Sequence, residues 1–317
     1  MQYLKELRES EHVKCIYLCK SVTNAVTKNG KDYLNLVLMD KSGSLDAKIW
    51  DPGDPGIDEF DKLDFIEVTG DVTSFNGNLQ LNVKRARKAY EGEYDPSEYL
   101  PQSSKDIEKM YEDLKKHIAS VKNEYYRKLL ESFFVDDEEF IKRFKNSSAA
   151  KSVHHGFVGG LLEHTLSVTN FCDYMSKAYP FLKRDLLITA AICHDIAKTR
   201  EFSPFPENDY TDDGQLLGHI VMGSQMVGER AASIEGFPQV LLSQLQHCIL
   251  AHHGKYEYGS PKLPALAEAI ALNYADDADA KMEIFKEILD NNPLKKEWLG
   301  FNRMLDSNIR PTLGDLE

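Results

Sequence analysis

The hydrophobic period of this chain changes once, and that change constrains its fold more than any single motif. Between about residues 12 and 90, apolar residues alternate. Leu34, Leu36 and Leu38 fall at period two inside 33–39, and the runs 13–18, 44–50, 65–72 and 79–83 have the same texture. Alternation with β-branched residues marks strands. Turn signals separate the runs: Asn29-Gly30, Lys41-Ser42-Gly43 and Asn76-Gly77-Asn78. Five such strands in ~80 residues suit a small antiparallel barrel of the OB type. A linker with Pro96, Pro101, Ser103 and Ser104 follows, and beyond it the period is helical. Residues 105–145 are rich in Lys, Glu and Leu and contain no Gly or Pro. Further helices are expected at 159–178, 184–199, 217–233, 238–252, 263–277 and 279–290, with prolines between them or at their starts.

The predicted fold class is therefore α+β and multidomain, a small β-barrel followed by an all-α domain. The expected boundaries are a barrel over 1–95, a linker and helical segment over 96–150, and a second domain over 151–317. A length of 317 residues suits two domains. The net charge is −13, from 38 basic and 51 acidic residues. A field of that sign does not recruit nucleic acid, so such a partner must be held by a local patch or a cation. Residues 12–90 carry 11 basic and 11 acidic side chains, which puts the acidic excess outside the barrel. No stretch reaches the ~18 apolar residues of a membrane span, and the charged N-terminus is not a signal peptide. Five widely spaced cysteines without a C-x-x-C pair argue against a disulfide framework or a thiolate zinc site. A cytoplasmic location is expected.

Eight of the ten histidines lie between residues 154 and 253. At their centre Ile192-Cys193-His194-Asp195-Ile196-Ala197-Lys198 follows an apolar helical run. Imidazole and carboxylate are good ligands for a hard or borderline divalent metal. Asp195 has two oxygens and could bridge two ions. Lys198 lies three residues after Asp195 and four after His194, near both on a helix surface, where it could neutralise a phosphate oxygen. Around this centre stand Gly159-Gly160-Leu161-Leu162-Glu163-His164, Leu217-Gly218-His219-Ile220, Ala251-His252-His253-Gly254 and Tyr274-Ala275-Asp276-Asp277-Ala278-Asp279. Taken singly, each also fits a core or capping residue. Together they form an order, His, His-Asp, His, His-His, Asp, one per successive helix.

That order resembles the HD superfamily of metal-dependent phosphohydrolases. With an OB-type barrel ahead of it, essentially the full length resembles the YhaM family of bacterial 3′→5′ exoribonucleases. Further family-like stretches are Ala150-Lys151-Ser152-Val153-His154-His155 and Glu257-Tyr258-Gly259-Ser260-Pro261. The resemblance implies that His164, His194, Asp195 and Asp276 hold one metal, and that Asp195 bridges to a second held by His219 and His252. Asp195 and Lys198 would be catalytic. His154 and His155 read as substrate or outer-shell groups, and His253 as a ligand or a phosphate contact. His247, five residues before His252, points to another helix face and reads as structural.

The implied cofactor is one or two divalent ions, Mn first, with Co, Fe or Mg as the other candidates. The implied partner is single-stranded RNA, with single-stranded DNA and a homo-oligomer left open. OB-folds hold single strands with stacking aromatics and a basic groove. The candidates here are Tyr33 and Trp50, for which core filling is an equal reading, with Lys84 and Arg85. The acidic run from Asp51 to Asp64 is expected to be a solvated loop. The expected function is removal of nucleoside monophosphates from the 3′ end of RNA. The alternatives are an HD-type hydrolase of free or cyclic nucleotides, which needs no OB domain, and a non-enzymatic nucleic-acid binder, which needs no Lys198.

Overall fold

The computed structural model describes residues 1–312 except 28, 76, 96, 97, 101, 152–155 and 294. Five strands form a closed barrel: β1 (His12–Val26), β2 (Asp32–Asp40), β3 (Gly43–Ile49), β4 (Phe65–Phe75) and β5 (Asn78–Lys88). Their order is β1-β2-β3-β5-β4, with β4 returning to β1. The strand pairings are antiparallel except that of β3 with β5, in which Asp46–Lys48 run parallel to Gln80–Asn82. β1 serves two neighbours. Its first half pairs with β4 and its second with β2, and the register shifts between Cys19 and Ser21 where it bends. A second shift lies at Thr69/Gly70. There a Cβ on Gly70 would stand 2.2 Å from the Asn82 carbonyl oxygen, so only glycine lets the strands approach. The barrel core is the set the alternation selects, including Leu36, Leu38, Ile66, Val68 and Leu81.

The chain divides into two compact units, Met1–Gln102 with Pro204–Asn208, and Ser103–Ser203 with Asp209–Glu317. The second is helical. Residues 105–145, expected as one helical stretch, are three helices: α1 (Ile107–Ser120), α2 (Glu124–Phe134) and α3 (Glu138–Asn146). Each starts at a side-chain cap, Asp106, Asn123 or Asp137, which accepts hydrogen bonds from free N–H groups of the first turn. Asn123 and Asp137 thus separate elements that contain neither Gly nor Pro. Leu114, Phe133 and Phe144 of this segment pack into the same core as Leu161, Ile188 and Leu272.

α4 (Gly160–Ala178) and α5 (Arg184–Cys193) follow. From Leu186 to Cys193 every residue of α5 is buried, so it is the central helix. It stops at Cys193 rather than running to 199, and residues 194–197 form turns before the short α6 (Lys198–Glu201). α7 (Asp212–Leu216), α8 (Gly218–Ala232) and α9 (Gln239–Ala251) come next. The two helices expected at 263–277 and 279–290 are one, α10 (Ala267–Asp290), since nothing between them breaks a helix. A short hairpin, β6 (Gly300–Asn302) with β7 (Ser307–Ile309), was not anticipated. Among the described residues no helix is long and apolar enough to cross a membrane.

Candidate metal centre

Five helical segments each deliver one piece of the centre. His164 sits in the second turn of α4, and His194 and Asp195 directly follow α5. His219 is the second residue of α8, His252 caps α9, and Asp276 lies in mid-α10. All six side chains converge. On one side His164 Nε2 is 3.2 Å from His194 Nε2, 3.1 Å from Asp276 Oδ1 and 3.5 Å from Asp195 Oδ2. On the other, Asp195 Oδ1 is 3.4 Å from His219 Nε2 and 3.7 Å from His252 Nε2. The Asp195 carboxylate, 2% exposed, thus turns one oxygen to each group of imidazoles. His253 joins the second group, with one ligand atom each from His219, His252 and His253 lying within 4.8 Å of one another.

The far ring nitrogens explain the orientation. Nδ1 of His194 donates to the Ala191 carbonyl, that of His252 to Ile249 and that of His253 to Tyr258, each at 2.7 Å. A carbonyl only accepts, so each Nδ1 carries a proton and a neutral ring keeps its Nε2 lone pair for a metal. The other two rings rest on carboxylates. His164 Nδ1 is 2.7 Å from Asp279 Oδ2, and His219 Nδ1 is 2.9 Å from Glu201 Oε1. Carboxylate behind imidazole is the usual support of a metal-binding histidine. Ser167 donates to Asp279, and the His219 amide donates to Glu201. Gly214 lies against the Glu201 backbone, where a Cβ would stand 2.3 Å from its carbonyl oxygen.

Charge at the centre is set by burial against close partners. Burial opposes ionisation of Asp195, but its charged neighbours, Lys198 foremost, outweigh it and hold the carboxyl well below its ordinary range. Burial likewise opposes a charge on Lys198, and Asp195, 2.8 Å away, keeps the amine protonated. Burial would neutralise His164, yet hydrogen bonds to Asp276 and Asp279 push it up to about 10. Burial depresses His252 far below the imidazole range, and His194 and His253 less so, so these rings are neutral at pH 7. Burial opposes the charge of Asp276 and of Glu201, and His164 and His219 respectively hold them ionised.

A divalent cation fits this set. Asp195 Oδ1, His219 Nε2 and His252 Nε2 are buried atoms without a hydrogen-bond partner, and all three face the same space. Orphaned buried polar atoms are costly unless something binds them. The donors are nitrogen and oxygen throughout, as borderline and hard cations prefer.

The metal-site residues named from sequence are all at this centre, with Lys198 beside them. His154 and His155 lie outside the described residues. His247 accepts from the Ala265 amide, a structural role. Sequence reading missed Glu201 and Asp279. Asp279 was within reach, being one turn after Asp276 on the same helix; Glu201 had no comparable signal.

In the barrel, Tyr33 and Trp50 are not core. They stack on the outer face with ring centroids 5.0 Å apart, and Trp50 is 41% exposed. The Lys48 ammonium, unnoticed in the sequence, stands 4.9 Å and 5.5 Å from the two rings. Lys84 is paired with Asp71, while Arg85 has no ion pair among the described residues. The loop after β3 is largely exposed, and its Asp51 pairs with Lys31 at 3.3 Å.

The chain is similar to several known proteins. The HD domain family model matches residues 161–281, which span His164 to Asp276. The 3′-5′ exoribonuclease YhaM of Geobacillus sp. (strain WCH70) is 35% identical over 283 residues, 88% of this chain and 86% of its own. Among solved structures, the second OB-fold domain of replication protein A from Methanococcus maripaludis covers 30% of this chain and 98% of its own, at 21% identity and a TM-score of 0.23. The OB domain of Ta0387 from Thermoplasma acidophilum covers 30% of this chain and 90% of its own, at 14% identity and a TM-score of 0.24.

Fold and centre define the class: an HD-domain metal-dependent phosphohydrolase with an OB-type barrel ahead of it. Within that class the chain belongs to the YhaM family of 3′-5′ exoribonucleases.

Proposed function

We propose that this 3′→5′ exoribonuclease shortens single-stranded RNA to nucleoside monophosphates at a centre of two divalent cations. His164, His194, Asp195 and Asp276 would hold one. Asp195, His219 and His252 would hold the other, with His253 as a further ligand rather than a phosphate contact. The observation that carries this reading is the Asp195 carboxylate, whose two oxygens face separate groups of imidazoles. Bound there, the cations would supply Lewis acidity and a source of hydroxide at neutral pH.

The chain's own residues do the rest. Asp279 and Glu201 orient His164 and His219. Lys198 offsets the charge of Asp195 and, at 16% exposure, keeps an ammonium proton for a phosphate oxygen as negative charge builds there. On the barrel, Tyr33, Trp50 and Lys48 suit a single strand, since ring faces and one cation accept any base. Single-stranded DNA offers them the same chemistry. Manganese suits the donor set, and the free cysteines agree with a reducing cytoplasm.

The test is a 5′-labelled single-stranded RNA incubated with protein and Mn²⁺, or with chelator, and resolved at single-nucleotide length. A metal-dependent ladder shortening from the 3′ end is expected, with two ions per chain by elemental analysis. An unchanged band sinks the substrate assignment, and one ion per chain sinks the two-cation centre.

A further inference from the structure

A cleft of about 890 Å³ opens beside the centre, with His164, Asp195, Lys198 and Asp276 on its floor. Its walls differ in character from that charged floor. α10 turns one face to the cleft, and Ile270, Tyr274, Asp277 and Lys281 follow one another there at helical spacing. The loop after α9 also lines the cleft, with Lys255 and Tyr258. Both tyrosines are exposed, Tyr258 at 57% and Tyr274 at 65%. Tyr274 has no ring or hydrogen-bond partner among the described residues.

The wall lysines are matched by acids: Lys281 pairs with Asp277 at 2.7 Å, and Lys255 with Glu257 at 3.3 Å. The Lys255 ammonium also stands 5.0 Å from the Tyr258 ring centroid, so Tyr274 offers an open ring and Tyr258 a ring with a cation against it.

Both residues are tied through the backbone to ligand-bearing segments. Tyr274 is two residues before Asp276 on an unbroken helix. The Tyr258 carbonyl accepts from His253 Nδ1. Its loop begins at Gly254, whose φ of +76° and close fit against the Asn273 side chain leave no room for a Cβ. Asn273 in turn donates to the His252 carbonyl at 2.7 Å.

We infer that Tyr258 and Tyr274 form a nucleobase subsite, receiving the 3′-terminal base of the strand while its phosphate meets the centre. The inference rests on the exoribonuclease reading. Ligand pockets run to ~300–1,000 Å³, so the cleft is large enough for a nucleotide. Ring stacking accepts every base because each has a π-face, so the subsite grips without reading sequence. That suits an enzyme which must present each new 3′ end in turn.

The test is equilibrium binding of adenosine 5′-monophosphate and of ribose 5-phosphate to the Mn²⁺-loaded full chain. The base should tighten binding about 10- to 100-fold, the range that base–aromatic stacking supplies. Tyr274→Ala and Tyr258→Ala should each cut that ratio severalfold, the double variant should bring it near one, and Tyr274→Phe should keep it. The four nucleoside monophosphates should bind within about fivefold of one another, as stacking without hydrogen-bond readout implies. A ratio near one in the wild-type protein, or one the alanine variants leave intact, overturns the subsite. RNA shortening by the wild-type protein is followed in parallel. Failure of the exoribonuclease reading appears there, as intact RNA beside a preserved base preference. Failure of the subsite appears as shortened RNA without that preference.

Discussion

In the barrel, ionic groups lie at the surface and mostly answer one another: Lys84 with Asp71, Lys88 with Asp64, Arg87 with Glu67 and Glu93. Set apart from these pairs is an aromatic pair with Lys48 beside it, whose ammonium donates to the neutral Asn35 Oδ1 at 2.8 Å. In the helical unit the arrangement is reversed. Two carboxylates and five imidazoles are gathered together, three of their polar atoms without partners, and Lys198 is the ammonium beside them. Surface pairs contribute ~0–1 kcal/mol each, whereas a buried ionic group that loses its partner costs ~3–5 kcal/mol. One chain thus carries a tolerant outer face and an exacting inner one. The first should degrade gradually on substitution and the second abruptly.

The largest break in that contrast should come from Asp195→Ala. It removes the residue that faces both imidazole groups, and kcat should fall by more than about 10³-fold, beyond what one stabilising donor usually contributes. Helical circular dichroism should be retained and metal content should drop. Activity within tenfold of wild type would mean the two groups of imidazoles do not act through this carboxylate. Next come Glu201→Gln and Asp279→Asn, each expected to weaken metal affinity about 10- to 100-fold. Glu201 supports His219 and Asp279 supports His164, so titration should show the first variant weakening one ion and the second the other. Loss of the same ion in both would merge the two sides into one. The smallest effects belong to the barrel. Trp50→Ala should raise KM for a long single strand about tenfold, within the usual stacking range, and leave a dinucleotide unaffected. Lys48→Ala should reduce the salt dependence of strand binding by the ~0.7 expected of one phosphate contact. Lys84→Ala should reduce it by less, because Asp71 already neutralises that ammonium.

Alternation revealed the barrel because its core lies on one side of each strand, as Leu36 and Leu38 show. It cut β1 short at Leu18. The half from Ser21 to Val26 pairs with β2, but only Val22 of it packs against the barrel core, so its apolar alternation is too sparse to read as a strand. The helical unit was legible where Pro or Gly marks a boundary, and illegible at Asn123 and Asp137, which are as ordinary on a helix surface as at its cap. At the centre, the order of histidines and aspartates across successive helices carried the ligand set. Glu201 did not stand out because a glutamate in a charged tetrapeptide reads as solvated, and only the fold buries it against His219. Tyr33 and Trp50 stood open between core and surface until the register set Leu34 opposite Ile49, leaving both rings on the outer face.

Gly214 carries a lesson for anyone reading mutations in this family. It bears no charge and has no side chain with which to hold a cation. Yet the Glu201 backbone occupies the place of any side chain it might gain, and Glu201 steers His219. In a random mutagenesis screen scored for activity, substitutions at this glycine would group with the loss of a metal ligand, and a map of intolerant positions would trace the scaffolding behind the site as clearly as the site itself.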